Sequence, residues 1–282
     1  MQRLVLDDWG VTSYSELARL SGEVPAAPVT HGAVAAVEEA VGETIAAFPR
    51  GRRAGVCFHA VLEELDFATR DPVVLQAAAQ VQLRRSGLGE GWAPALAAAV
   101  NDVLDTPLAD GLFLRHLRDE HRRSEVAFCY PIHRLSGAGL LRAVPALAAD
   151  ELETPRLRFS PRSGLMKGFV DLVFEHQGRY YLADWKTNWL GSAPDDYTAE
   201  RIAAEMQRHH YDLQYYVYAV ALHRYLASRI RDYDYECHMG GVYYFFVRGM
   251  TPATGMERGV FFDRPAAATI AALDALFAGR AP

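Results

Sequence analysis

The residues best placed to do chemistry lie in one stretch, GFVDLVFEHQGRYYLADWKTNWLG. Asp171 sits in an otherwise apolar run. Asp184 and Lys186 sit in the next such run, two residues apart, so on a strand their side chains leave the same face. Between the runs, Glu175-His176-Gln177-Gly178-Arg179 reads as a hairpin turn with Gly178 at a positive φ. A hairpin lays the second strand beside the first and lets Asp171 approach the other two groups. Two carboxylates and a lysine among apolar neighbours are costly to bury unless they are paired or bound to a cation. Converging carboxylates in a low-dielectric site attract a hard cation such as Mg2+ or Mn2+. A lysine beside them orients an attacking water or neutralises charge developing on a phosphate. Carboxylates alone repel a phosphodiester, and a cation reverses that sign. An Asp-x-Lys picked at random is usually a solvated ion pair on an edge strand; the strongly apolar flanks weigh against that here.

The rest of the chain offers elements to position these groups. SEVAFCYPI reads as a strand, with Pro131 as a stop or edge signal. Residues 165–174, GRYYLADWK and GGVYYFFVRG are rich in β-branched and aromatic residues and read as three more strands. A long helix over about 196–225 separates the last two. A strand at about 259–263 precedes a helix over 265–277, and residues 134–163 carry no assignment. Upstream the chain is alanine-rich and reads as helices over 30–48, 54–67, 72–85, 93–104 and 112–118. Val56, Phe58, Val61, Leu62 and Leu65 recur at helical spacing, and Pro94 suits a first helical turn. The order predicts one mixed α/β domain over 1–282, a mainly helical part over 1–123 carrying His59 and an α/β core over 124–282.

With 282 residues, half of them apolar and 23% charged, the chain has an ordinary globular composition and material for a large core. A net charge of −6 counts against nucleic-acid binding by bulk charge, but not against a local basic groove. Arg50, Arg52 and Arg53, then Arg115, Arg118, Arg122 and Arg123, then Arg156, Arg158 and Arg162 are candidates for one, although such runs are more often solvated faces. Cys57, Cys129 and Cys237 are far apart, which excludes a zinc ribbon or disulfide framework and makes a reducing cytoplasm the expected compartment. No signal peptide or membrane span is evident, so no membrane association is expected. No GxxxxGK(S/T) loop occurs, so no helicase motor is expected in this chain.

The hairpin resembles motifs II and III of the PD-(D/E)XK nucleases. MKGFVDLVFEHQGRYYLADWKTNWLG, YDLQYYVYAVALHRYL and YDYECHMGGVYYFFVRG resemble one branch almost throughout, the nuclease domain at the C-terminal end of bacterial RecB subunits, the beta subunits of exonuclease V. VTSYSELARLSG resembles the entry segment of that branch and GVCFHAVLEELDF its histidine helix, so the matches run collinearly from Thr12 to about Gly249. The resemblance implies a restriction-endonuclease-like fold, a mixed central sheet flanked by helices, with a helical N-terminal addition. It implies a Mg2+-dependent deoxyribonuclease (Mn2+ or Ca2+ can occupy the site) acting on DNA in double-strand-break repair and recombination.

Residue by residue, it implies that His59, Asp171, Asp184 and the backbone carbonyl of Trp185 hold the metal, leaving the Trp185 side chain free to vary. Lys186 matches the catalytic lysine. Glu125 matches an acidic residue that reaches the metal through water or holds Lys186. Gln214 and Tyr218 match a Q-x-x-x-Y motif, four residues apart on one helix face, presenting an amide and a phenol to DNA or to the lysine. By residue type alone, His59 would be a hydrogen-bonded core residue, and Gln214 and Tyr218 core or interface. Some relatives hold an iron–sulfur cluster on four cysteines, which three scattered ones cannot build. RecB-type nuclease domains follow a motor and work with RecC-like and RecD-like subunits, so the chain is expected to be an excised domain or a stand-alone relative. A non-catalytic docking module of such a complex is the alternative to an active nuclease.

Overall fold

The computed structural model describes residues 9–20, 44–148, 157 and 159–280. A short strand β1 (Trp9–Thr12) leads into helix α1 (Tyr14–Leu20). Helices α2 (Arg52–Glu64), α3 (Pro72–Arg85) and α4 (Ala93–Asp105) follow. Asp71 caps α3 by accepting from Val73 N–H at 2.8 Å, and Pro94 lies in the first turn of α4 as its fixed φ suits. The long strand β2 (Arg122–Leu135) carries Pro131 in its interior, at the edge of the sheet. Helix α5 (Gly137–Ala143) falls in the stretch for which the sequence offered no assignment. The hairpin β3 (Arg162–His176) and β4 (Arg179–Lys186) turns through Gln177 and Gly178, both at positive φ (52° and 78°). Then come α6 (Ala199–Arg208), α7 (Tyr211–Arg229), the single turn α8 (Tyr235–His238), β5 (Met239–Phe246), β6 (Val260–Asp263) and α9 (Ala267–Phe277).

The six strands among the described residues form one mixed sheet in the order β1-β3-β4-β5-β6, with β2 along the other edge of β3. β4 and β5 are parallel, so the chain must cross over between them, and α6 and α7 supply that crossover. The sheet separates two cores. On one side α2 and α4 place Phe58, Leu62, Leu96 and Val100 against Tyr181, Trp185, Tyr243 and Phe245. On the other, α7 and α9 place Leu213, Val217, Ile270 and Phe277 against Leu182, Tyr244 and Phe246. Every residue of β5 is buried, as a strand covered on both faces requires.

β3 is long enough to change sides. Leu172 and Phe174 belong to the first core, but Met166 and Val170, also even-numbered, belong to the second. The partner strand changes with it: Arg122 packs over Phe67 of the first core, whereas Tyr130 and Ile132 lie in the second. The changeover falls at Glu125, which takes a left-handed φ of 49° and lies opposite Asp171, between the rungs Ser124↔Leu172 and Val126↔Val170.

Three helical expectations need correction. The helix over 196–225 is two helices, because His210 adopts φ 54° and a left-handed residue interrupts the i→i−4 ladder. Residues 112–118 form no α-helix; a single 3-10 turn at Leu114–His116 points Arg115 inward. Of the helix over 30–48, residues 30–43 lie outside the described residues, and 44–48 form turns.

Candidate active site

β3 and β4 pair from His176↔Arg179 to Leu172↔Ala183 and then part. The next rung would join Asp171 to Asp184. Instead Trp185 N–H donates to Asp171 Oδ2 at 2.9 Å. β4 remains on β5 through Lys186↔Phe246, so it is β3 that leaves. From the first layer, α2 brings His59 to the split: its Nε2 lies 2.8 Å from Trp185 O and its Nδ1 3.4 Å from Asp171 Oδ2. One imidazole thus meets two acceptors, and only a protonated ring donates to both. Burial pulls the His59 pKa down, but the hydrogen bond and charge of Asp171 outweigh it and the net shift is upward. Burial would raise Asp171, yet the His59 contact and the Trp185 N–H hold its carboxyl below the usual range. Glu125 is pushed up by burial first, then by the charges of Asp171 and Glu63. His59, Glu125 and Asp171 bring one ligand atom each to within 4.8 Å of one another.

Asp184 and Lys186 face the other way, toward α7. Lys186 Nζ is 2.6 Å from Asp184 Oδ2 and donates to Gln214 Oε1 at 3.0 Å. It stands 3.8 Å from the centroid of the Tyr211 ring and 5.0 Å from that of Tyr244. Tyr244 O–H donates to the same Gln214 Oε1 at 3.0 Å, and Gln214 Nε2 donates to Tyr218 Oη at 2.9 Å. Two donors on one amide oxygen fix which way the amide points. Asp184 is only 4% exposed, and burial, then the charge of Asp171, pushes it up to about 6 against the pull of Lys186. Burial draws Lys186 down, but Asp184 and Tyr211 outweigh it and keep the amine charged.

The sequence-predicted residues therefore fall into two groups on either side of the split. His59, Glu125, Asp171 and the Trp185 carbonyl meet on one side; Asp184, Lys186, Gln214 and Tyr218 meet on the other. Gln214 and Tyr218 share a helix face and are buried; Gln214 meets Lys186, and Tyr218 meets Gln214. Trp185 is a correction: its indole is 3% exposed and stacks on Phe245 at 5.2 Å, so the side chain is an anchor that cannot vary freely. Tyr211 and Tyr244 were missed. Tyr244 is in register with Asp184 on the neighbouring parallel strand, and Tyr211 lies three residues before Gln214 on α7. The first signal needs the strand register, which the sequence does not display.

A buried arginine ties α2 to the exit of β4. Arg248 is 5% exposed and donates to Thr187 O at 2.9 Å, Ile45 O at 2.8 Å, Phe48 O at 3.0 Å and Pro49 O at 2.5 Å. Arg50, just beyond, stacks 3.6 Å over the Trp189 ring, and Arg52 and Arg53 are exposed at the start of α2. The second basic cluster is a correction: Arg115 and Arg122 are buried at 3% and 9% exposure and engaged within the fold, so they are no part of a basic groove. Arg162 pairs with Glu16 at 3.3 Å, and Arg156 and Arg158 lie outside the described residues.

The profile of the PD-(D/E)XK nuclease superfamily matches residues 35–278. The RecBCD enzyme subunit RecB of Escherichia coli (strain K12) is 41% identical over 290 residues, which cover 99% of this chain and 24% of that protein. The subunit of the same name from Mycolicibacterium smegmatis is 36% identical, over 97% of this chain and 28% of the relative. That of Haemophilus influenzae is 35% identical, over 81% and 19%. The chain spans about a quarter of the length of these relatives. Among the described residues no helix is long and apolar enough to cross a membrane.

Proposed function

The chain belongs to the PD-(D/E)XK nuclease superfamily, with its mixed sheet between helices, and from that premise we propose that it hydrolyses DNA phosphodiester bonds with the help of Mg2+. The reading extends to a nuclease domain of a RecBCD-type exonuclease V, working in the cytoplasm with RecC-like and RecD-like subunits in double-strand-break repair and recombination. The observation that carries it is the parting of β3 and β4 between Asp171 and Asp184. The residues fit a divalent cation. An imidazole nitrogen and two carboxylates lie within 4.8 Å of one another, a donor set rich in hard oxygen ligands. His59 already sits between Asp171 and the Trp185 carbonyl, with Nδ1 3.4 Å from the first and Nε2 2.8 Å from the second. His59, Asp171 and the Trp185 carbonyl would hold the ion with Glu125 in the same cluster, and Asp184, whose charge is felt by His59 and which feels that of Asp171, would complete the set from across the split. Such an ion, when bound, offsets phosphate charge and lowers the pKa of water.

The protein's own groups do the rest. Lys186, kept charged by Asp184 and restrained by two rings and an amide, donates to the attacking water or to a phosphoryl oxygen as charge builds there. Trp185, stacked in the first core and bonded through its N–H to Asp171, holds its peptide still. Linear DNA incubated with the protein should be degraded in Mg2+ and left intact in EDTA. Persistence of digestion in EDTA would remove the metal from the mechanism. No digestion in Mg2+, together with no heat of Mn2+ binding by calorimetry, would favour the docking module. Tyr244→Phe keeps the ring and deletes one donor to Gln214, so kcat should fall roughly 2- to 10-fold, the worth of one hydrogen bond, with KM unchanged. A change in KM alone would place Tyr244 in substrate binding.

A further inference from the structure

The sheet face leading away from the cluster carries exposed side chains among the described residues. In β2 and β3, Glu125 lies opposite Asp171, Ala127 pairs with Phe169 and Cys129 with Lys167, so these residues share one face. β1 prolongs that face through Val11↔Leu165 and Trp9↔Ser163. The opposite face of the same stretch is packed, with Tyr130, Met166 and Val170 in the second core. On the exposed face lie large apolar groups: Phe169 is 59% exposed, Val11 48% and Trp9 67%. Lys167, between them, is exposed and makes no ion pair or side-chain hydrogen bond among the described residues. Among the described residues β1 pairs with residues 163–166 of β3 and β4 with 172–176, so 167–171 have no partner strand there on that edge.

We infer that this face is a track for single-stranded nucleic acid, on which Phe169 stacks a nucleobase beside the scissile phosphate and Lys167 holds the backbone beyond it; the inference rests on the nuclease reading. Alternate residues of a strand are about 7 Å apart, so Phe169 stands one step from Asp171 and Lys167 a second step, about 13 Å away. A phosphate brought to the cluster therefore lays its neighbouring nucleotides over these two side chains. An exposed aromatic ring on a sheet face beside an exposed lysine suits bases whose faces are available, as in single strands. The bases of a duplex are stacked on one another and cannot reach a ring lying on a sheet. A protein partner seated on Phe169 would close the approach to Asp171, whereas a substrate strand uses it. Trp9 lies farther along the same face, where it forms a second platform.

The test titrates the full 282-residue chain into a short single-stranded oligonucleotide carrying 2-aminopurine, with Ca2+ replacing Mg2+. The wild type should quench the probe on binding. Phe169→Ala should weaken binding roughly 5- to 150-fold and abolish the quench, and Phe169→Trp should restore both. Lys167→Ala should weaken binding to every sequence and lower the salt slope by about one. Unchanged binding by Phe169→Ala, a loss that Phe169→Trp does not repair, or tighter binding of duplex without quenching overturns the track. Digestion in Mg2+ that ignores Phe169 sinks the track alone. Phe169-dependent quenching in a protein that cuts no DNA sinks the nuclease reading alone.

Discussion

Lys186→Met combined with Asp184→Asn should slow digestion of linear DNA by at least roughly 100- to 1000-fold, yet leave the protein no easier to unfold in urea. The two charges sit 2.6 Å apart with Lys186 9% and Asp184 4% exposed, and burial already drives the carboxyl up to about 6. Such a pair repays little of the cost of dehydrating it. Taking only Lys186 away strands a buried carboxylate, so that single variant should lose about 3–5 kcal/mol and confuse activity with folding. Taking both away and keeping their volume removes the electrostatic cost along with the chemistry. The measurements are release of acid-soluble nucleotide in Mg2+ and the urea midpoint. Digestion within threefold of wild type would strip the pair of its catalytic role; a large drop in midpoint would make it structural.

Arg115→Met should cost about 3–5 kcal/mol, as large a loss as that expected from removing Lys186 alone. Arg115 is 3% exposed and gathers Asp105, both polar oxygens of Asn101, and the carbonyls of Phe67 and Thr69. It joins the end of α4 to the loop after α2; without it the buried Phe67 carbonyl loses this donor, and Asp105 keeps its 3.6 Å ion pair with Arg70. Domains of this kind are stable by only about 5–15 kcal/mol, so the urea midpoint should fall by a large fraction. A midpoint within a tenth of wild type would refute this. The pair also carries a pH signature. The hydrogen bond from Arg115 holds the Asp105 carboxyl below its usual range against the opposing effect of burial. A depressed carboxylate stabilises the fold above its unfolded pKa of about 4, and that contribution is lost as pH falls through the lower folded value. Wild-type stability should therefore decline below about pH 4 more steeply than that of Asp105→Asn.

What could be read from the sequence was set by short-range pattern. Asp171, Asp184 and Lys186 were legible because period-two alternation and a turn with Gly178 are local signals, and the hairpin follows from them. Helices α2, α3 and α4 were legible for the same reason, apart from their ends. His210 was not, since a left-handed residue at the start of α7 leaves no mark in composition. Arg115 misled for the opposite reason: a basic run suggests solvent, and only the tertiary fold shows that two of its four arginines turn inward. His59, Glu125 and Gln214 were named through resemblance; alone, each had an ordinary structural reading. The tyrosines around Lys186 escaped because Tyr244 reaches it through a parallel register set by a crossover of two helices.

The donors at the split come from α2, β2, β3 and β4, and the His59 contact with Trp185 O spans 126 positions of chain. No single element carries them all. A chain that has lost α2 lacks His59, and with it the contacts to Asp171 and to the Trp185 carbonyl. In a chain of the PD-(D/E)XK nuclease superfamily the candidate metal donors thus become a site only when the tertiary structure is complete.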